Sequence, residues 1–221
     1  MKKLLLPALS FILFACNHGP SYTYYFTEGN KGLDHKIPYP EALTAYNKAI
    51  ELKPDYAAAY ANRGRLEIKM QDFYGSQNDL RKALALDPKM TDVYYFIGYA
   101  KWQVGDFEGS RLAYNKEIEF NAKNAQAYAD RGIVRQLQGD ENGALHDFNQ
   151  AILIKPGGFP DVYIARGLLK IKMKDKVGGC LDLHRSLIIK KDSIAQHYID
   201  INCKSAPGLI NFPGVFNKHC Y

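Results

Sequence analysis

Long apolar runs are scarce in this chain of 221 residues; the most apolar stretch, Leu4 to Phe14, covers eleven. Eleven residues at about 1.5 Å rise fall well short of a hydrocarbon core about 30 Å thick, which argues against a retained membrane-spanning helix there. Tryptophan occurs once and cysteine four times, and no two cysteines stand as Cys-x-x-Cys, which removes the usual redox pair. The histidines, His18, His35, His146, His184, His197 and His219, form neither a His-Glu-x-x-His helix nor a Cys/His group with zinc spacing. Neither a glycine-rich phosphate loop nor a Gly-x-Ser-x-Gly elbow occurs. Charge of one sign is not concentrated either. The net +6 includes Lys2 and Lys3, and the remainder is spread over sites such as Arg63, Arg81, Lys82, Arg131, Lys170 and Lys174. That is a solvated surface rather than a nucleic-acid footprint. Acid pairs such as Asp140 and Glu141 stand at turns, where capping accounts for them. The enzyme reading is left without catalytic residues, and no cofactor or metal is expected.

What is present is periodic. Gly64, Gly98, Gly132 and Gly167 recur at intervals of 34, 34 and 35 residues. A tyrosine stands four before each (Tyr60, Tyr94, Tyr128, Tyr163), and Arg63, Arg131 and Arg166 directly precede three of them. A short unit repeated at fixed spacing cannot bury its own apolar face, so it must stack on its neighbours.

Each period splits into two amphipathic helices. The second is expected to run from about Ala57 to Lys69 and from about Phe73 to Leu86, with Gln71-Asp72 as the turn and Asp87-Pro88 as the stop. Gly105 and Gly139 suit the left-handed conformation that closes a helix. Pro54, Pro88 and Pro156 end three units, whereas the third has Ala122 and relies on Asn121 and Asn124. A glycine inside a helix costs about 1 kcal/mol against alanine, so its purpose must be close approach of the second helix. Small residues there complete that contact (Ala42, Ala49, Ser76, Ala83, Ser110, Ala144, Ala151). Tyr46, Leu80, Tyr114 and Phe148 are expected to fill the space between units.

These residues resemble the tetratricopeptide repeat, a 34-residue helix-turn-helix module. Its pattern is met by Tyr60, Gly64, Ser76, Leu80, Ala83 and Pro88, and more fully by Tyr128, Gly132, Ala144, Phe148, Ala151 and Pro156. The resemblance implies an all-α, right-handed solenoid of about five units over residues 22–54, 55–88, 89–122, 123–156 and 157–190. A capping helix over 191–203 and an irregular tail over 204–221 follow. Departures are expected in three places: a short or irregular first helix near Gly29, Gly32 and Ile37-Pro38-Tyr39-Pro40; Glu117 where alanine belongs; and one extra residue around Gly157-Gly158-Phe159-Pro160. Ile194, Tyr198 and Ile201 are expected to form the cap's apolar face.

In this family the first helix of each unit lines a concave groove. The resemblance places Asp92, Tyr95, Phe96, Tyr99, Trp102 and Gln103 in it, flanked by Asn62, Arg65 and Lys69 on one side and by Gln126, Asp130, Ile133 and Gln136 on the other. Packing of Tyr99 or Trp102 under the neighbouring unit is the competing expectation. Asp92 and Phe96 stand where the family's carboxylate clamp carries basic residues, so that clamp is not expected.

Met1-Lys2-Lys3, the apolar stretch and Leu13-Phe14-Ala15-Cys16 together resemble the signal peptide and lipobox of bacterial lipoproteins. The resemblance implies removal of residues 1–15, acylation of Cys16 and a short tether over 16–21. It places the chain in the bacterial cell envelope, facing the periplasm. In an oxidising compartment disulfides persist. A bridge between Cys180 and Cys203 is favoured, with Cys203 to Cys220 as the competitor. The surroundings of Cys180 and Cys203 also resemble the ends of tetratricopeptide lipoproteins from Bacteroidetes-type bacteria. The expected role is a non-catalytic, membrane-anchored scaffold that holds a protein or peptide partner in its groove. An envelope hydrolase or glycan-processing protein using Asp92 and Asp130, and a purely structural oligomer, are the alternatives.

Overall fold

A computed structural model describes residues 19–191 and 193–203; the proposed acylation site Cys16, the tail from 204 and Cys220 lie outside them. Among the described residues the chain forms eleven helices and no strand. They are α1 (Tyr22–Leu33), α2 (Tyr39–Leu52), α3 (Ala57–Lys69), α4 (Phe73–Leu86), α5 (Val93–Gln103), α6 (Phe107–Phe120), α7 (Ala125–Leu137), α8 (Glu141–Ile154), α9 (Pro160–Lys172), α10 (Lys176–Ile189) and α11 (Ser193–Asn202). None is long and apolar enough to cross a membrane. The first ten pair as hairpins, α1 with α2 through α9 with α10, and each hairpin packs on the next.

Local chemistry sets the boundaries. Asp72, Asp106, Asp140 and Asp175 cap α4, α6, α8 and α10, each accepting from the backbone N–H three residues on. The turn before each cap needs one residue at positive φ. Gly105 and Gly139 supply it as expected (φ +80° and +81°), and Gln71 and Lys174 hold the same conformation in their units.

The first unit corrects its expectation. Helix α1 is a regular twelve-residue helix capped by Ser21, and α2 starts at Tyr39 with Pro40 in its first turn, where a missing N–H does no harm. Gly29 is the first member of the glycine series, 35 residues before Gly64 and four after Tyr25. A Cβ on Gly29 would come within 2.6 Å of the Tyr46 ring, and one on Gly132 within 2.7 Å of Phe148. Leu80 and Tyr114 stand likewise against Gly64 and Gly98. The large residues on the second helices therefore fill the glycine notches of their own units, rather than only the space between units. Tyr46, Leu80, Tyr114 and Phe148 are all fully buried.

The cap also differs in detail. Ala195, Ile199 and Cys203 are the buried face of α11 and its end, whereas Ile194 and Ile201 are 55% and 64% exposed. A disulfide joins Cys203 to Cys180 with Cα atoms 5.7 Å apart. That bond fixes the rotation of α11, so the row of residues four apart that ends on Cys203 faces α10. Closing a loop of this length stabilises by about 3 kcal/mol where geometry is unstrained.

Candidate functional site

The first helices of successive units touch one another, α1 with α3, α3 with α5 and α5 with α7, while successive second helices have no comparable contact. The first helices therefore line the inside of the curve. Helices α7 and α9 approach each other less closely than those pairs, and a cleft of about 300 Å³ lies between them. The chain between α8 and α9 carries the extra residue, with Gly157 at φ +76°.

Over the first three units the inner face is a polar chain. Tyr46 Oη and Asn62 Nδ2 both donate to Asn30 Oδ1, at 2.7 and 2.8 Å. Asn62 Oδ1 accepts from Arg65 Nη1 at 3.3 Å, and the Arg65 guanidinium lies 4.8 Å from the centre of the Phe96 ring. Lys69, exposed, donates to His35 Nε2 at 3.4 Å.

The third unit brings the aromatics. The Tyr95 ring packs 5.8 Å from Tyr114, and Tyr99 meets Trp102 edge-on at the same separation. Trp102 also packs against the cluster of Tyr114, Ala127 and Val134, so it is shared between the face and the core. Tyr95 Oη donates to Asp130 Oδ2 at 2.9 Å, and Gln126 Nε2 donates to Asp130 Oδ1 at 2.9 Å. Burial raises the Asp130 carboxyl above its ordinary range; burial and the adjacent carboxylate push the Tyr95 phenol up. Asp130, Gln126 and Ile133 line the α7–α9 cleft together with Phe159, Val162 and Ala165. Gln136 is half-buried further along α7, and Gln103 is exposed at the end of α5. Asp92 is exposed at the start of α5 and is not among the residues that line the cleft with Asp130.

Sequence reasoning missed what the recurring arginines do. Arg131 grips Asp147 with Nε and Nη2 at 2.8 and 2.7 Å and reaches back to Asn115 of the preceding unit with Nη1 at 2.8 Å. Arg166 holds Asp182 and Asn149 in the same way, and Arg63 holds Asp79 and Asn47. The signal was available as an aspartate sixteen residues after each arginine and an asparagine sixteen or seventeen before. The third unit replaces the whole set, with Ile97, Ala113 and Arg81 at the matching places. Glu117 of that unit is buried, and its Oε1 accepts from Asn124 and Asn121 at 2.7 and 3.4 Å. Those bonds tie down a junction that has no terminating proline. In the first unit Glu28 stands at the arginine place. There a hollow of about 500 Å³ lies beside Tyr24, Tyr25, Ala45 and Lys48, on the edge that has no preceding unit among the described residues.

Residues 39–70 match a family profile described as "TPR repeat", and residues 57–90 and 91–124 match one described as "Tetratricopeptide repeat". The fold is that of tetratricopeptide repeats. Solved structures agree on this. YrrB, described as a tetratricopeptide protein with an unusual peptide-binding site, is 20% identical with a TM-score of 0.67, over 81% of this chain and 92% of that one. MamA from Desulfovibrio magneticus RS-1 is 12% identical at a TM-score of 0.71, over 80% and 98%. PilF from Pseudomonas aeruginosa is 18% identical at 0.66, over 76% and 80%. No curated protein matches at the level of sequence. The profiles fall on the first, second and third units, and the same tetratricopeptide geometry continues through α10.

Proposed function

We propose that the chain is a non-catalytic scaffold whose inner face holds a peptide segment of a protein partner. The observation that carries the reading is the half-buried aromatic row Tyr95, Phe96, Tyr99 and Trp102, set between Arg65 and Asn62 on one side and Gln126 and Asp130 on the other. Rings held at an angle by their neighbours offer apolar area at small entropic cost, and fixed polar groups on either side select register. The peptide-binding site named for YrrB, a protein of the same fold, supports a peptide-holding use of this fold. The envelope address belongs to the proposal: cleavage before Cys16 and acylation of that residue would hold the solenoid beside a membrane as an assembly factor, since several acyl chains anchor far more firmly than one.

The test places a photo-crosslinking amino acid at Tyr99, on the inner face, or at Leu153, which is 72% exposed on α8. A partner captured in intact cells from position 99 and not from 153 supports the proposal. Equal capture from both positions, or none from 99, removes it. Cys16→Ser tests the anchor separately: fractionation of cells should move the chain from the membrane to the soluble fraction.

A further inference from the structure

We propose that the α7–α9 cleft is a specificity subsite that takes a lysine or arginine side chain of the bound peptide; this rests on the peptide-holding reading above. Asp130 is only 6% exposed, and it is one of the residues that line the cleft. Its hydrogen-bond partners among the described residues, the Tyr95 hydroxyl and the Gln126 amide, are neutral. The other buried aspartates, Asp79, Asp147 and Asp182, each hold an arginine. Among the described residues Asp130 is thus the buried aspartate that holds no cation, and such a carboxylate gains most from an incoming one.

The rest of the lining fits that ligand. Ile133, Phe159, Val162 and Ala165 make an apolar wall of the kind that covers the alkyl stem of a long basic side chain. Asp161, in the first turn of α9, adds a second carboxylate, and among the described residues no lysine, arginine or histidine lines the cleft. Lys155 contacts the Phe159 ring at 5.3 Å without entering the lining. The first-helix register that holds Asp130 carries Asn62 in the second unit, Phe96 in the third and Ala165 in the fifth, so this preference belongs to one place on the face. At the other end of the face Arg65 and Lys69 repel a basic side chain, which sets the direction in which such a peptide lies.

The experiment pans phage-displayed twelve-residue peptides on the full chain in detergent and measures the enriched sequences by fluorescence anisotropy. Enriched peptides should share a lysine or arginine, and replacing it with norleucine should weaken binding at least tenfold. Asp130→Asn, which retains an acceptor for Tyr95, should weaken the basic peptide by a similar factor and leave the norleucine peptide within twofold. Ile133→Lys, which puts a cation one turn from Asp130, should abolish the basic preference; circular dichroism melts of both variants verify that the solenoid persists. Peptides that crosslink from position 99 yet show no basic preference and no loss on Asp130→Asn overturn the subsite and leave the groove standing. If no peptide is retained at all, both readings fall.

Discussion

The second, fourth and fifth units hold themselves together with an arginine, buried in the fourth and half-buried in the other two, between an aspartate of their own second helix and an asparagine of the unit before. The third unit follows the same backbone path with Ile97 and Ala113 in a cluster of apolar residues. One fold thus tolerates two chemistries at one junction, provided that the set changes together. A buried ion pair roughly balances its own desolvation, while half of one does not. The ionic units also stay specific about what stacks on them, because Asn47, Asn115 and Asn149 reach across the unit boundary.

The largest break in this comparison should come from Asp147→Ala. Asp147 is fully buried and receives both Arg131 and, at 3.0 Å, Arg135, so its loss leaves Arg131 without its carboxylate and Arg135 with only the more distant Asp140, at 3.7 Å. The expected loss is about 3–5 kcal/mol in urea unfolding. Next is Ile97→Arg, which buries a guanidinium opposite Ala113 without a carboxylate and should cost about 2–3 kcal/mol. The double change Arg131→Ile with Asp147→Ala transplants the third unit's apolar solution into the fourth. It should cost about 1 kcal/mol, clearly less than Asp147→Ala alone. If the double variant is as unstable as the single, the interchangeability of the two chemistries is wrong.

The smallest effect concerns Glu67, which stands three residues after Gly64, where the later units have Lys101, Arg135 and Lys170. Arg135 and Lys170 pair with Asp147 and Asp182, at 3.0 and 2.8 Å. Glu67 instead faces Asp79 and Arg63 with a buried, unpartnered Oε2, and burial, with the Asp79 charge next, raises its carboxyl to about 7. A carboxyl raised on folding binds more protons folded than unfolded between about 4.5 and about 7, so stability falls as pH rises through that window. Glu67→Gln should therefore gain about 1 kcal/mol at pH 8, with solvent screening of a half-buried group allowed for, and nothing at pH 4. A variant with the same pH dependence as the parent chain would place the titrating group elsewhere.

The architecture was legible because its signals are local and repeated. Helix lengths, the Gly105 and Gly139 turns and the stacked hairpins follow from periodicity, capping and the cost of a glycine inside a helix. The first unit was harder to read, since an extra residue in its turn, with His35 at φ +59°, hid the alignment of Gly29 with the rest. The inner face was legible as a set of positions and less so as contacts. Tyr95 and Trp102 are drawn partly into the core by Tyr114, and Asp130 is buried through partners four and thirty-five residues away.

From the residues one could read which surfaces must meet, because a missing Cβ and a facing large side chain obey a fixed spacing along each helix. The sixteen-residue spacing pointed to the arginine pairs, and the tertiary structure decided which charges are sealed among them. Arg131 finds Asp147 on its own hairpin and Asn115 on the unit before, whereas Asp130, one residue earlier on the same helix, turns inward and meets no arginine. Adjacent residues on a helix point about 100° apart, so a single step decides whether a carboxylate or a guanidinium is sealed into the stack or left facing the hollow where a partner would lie.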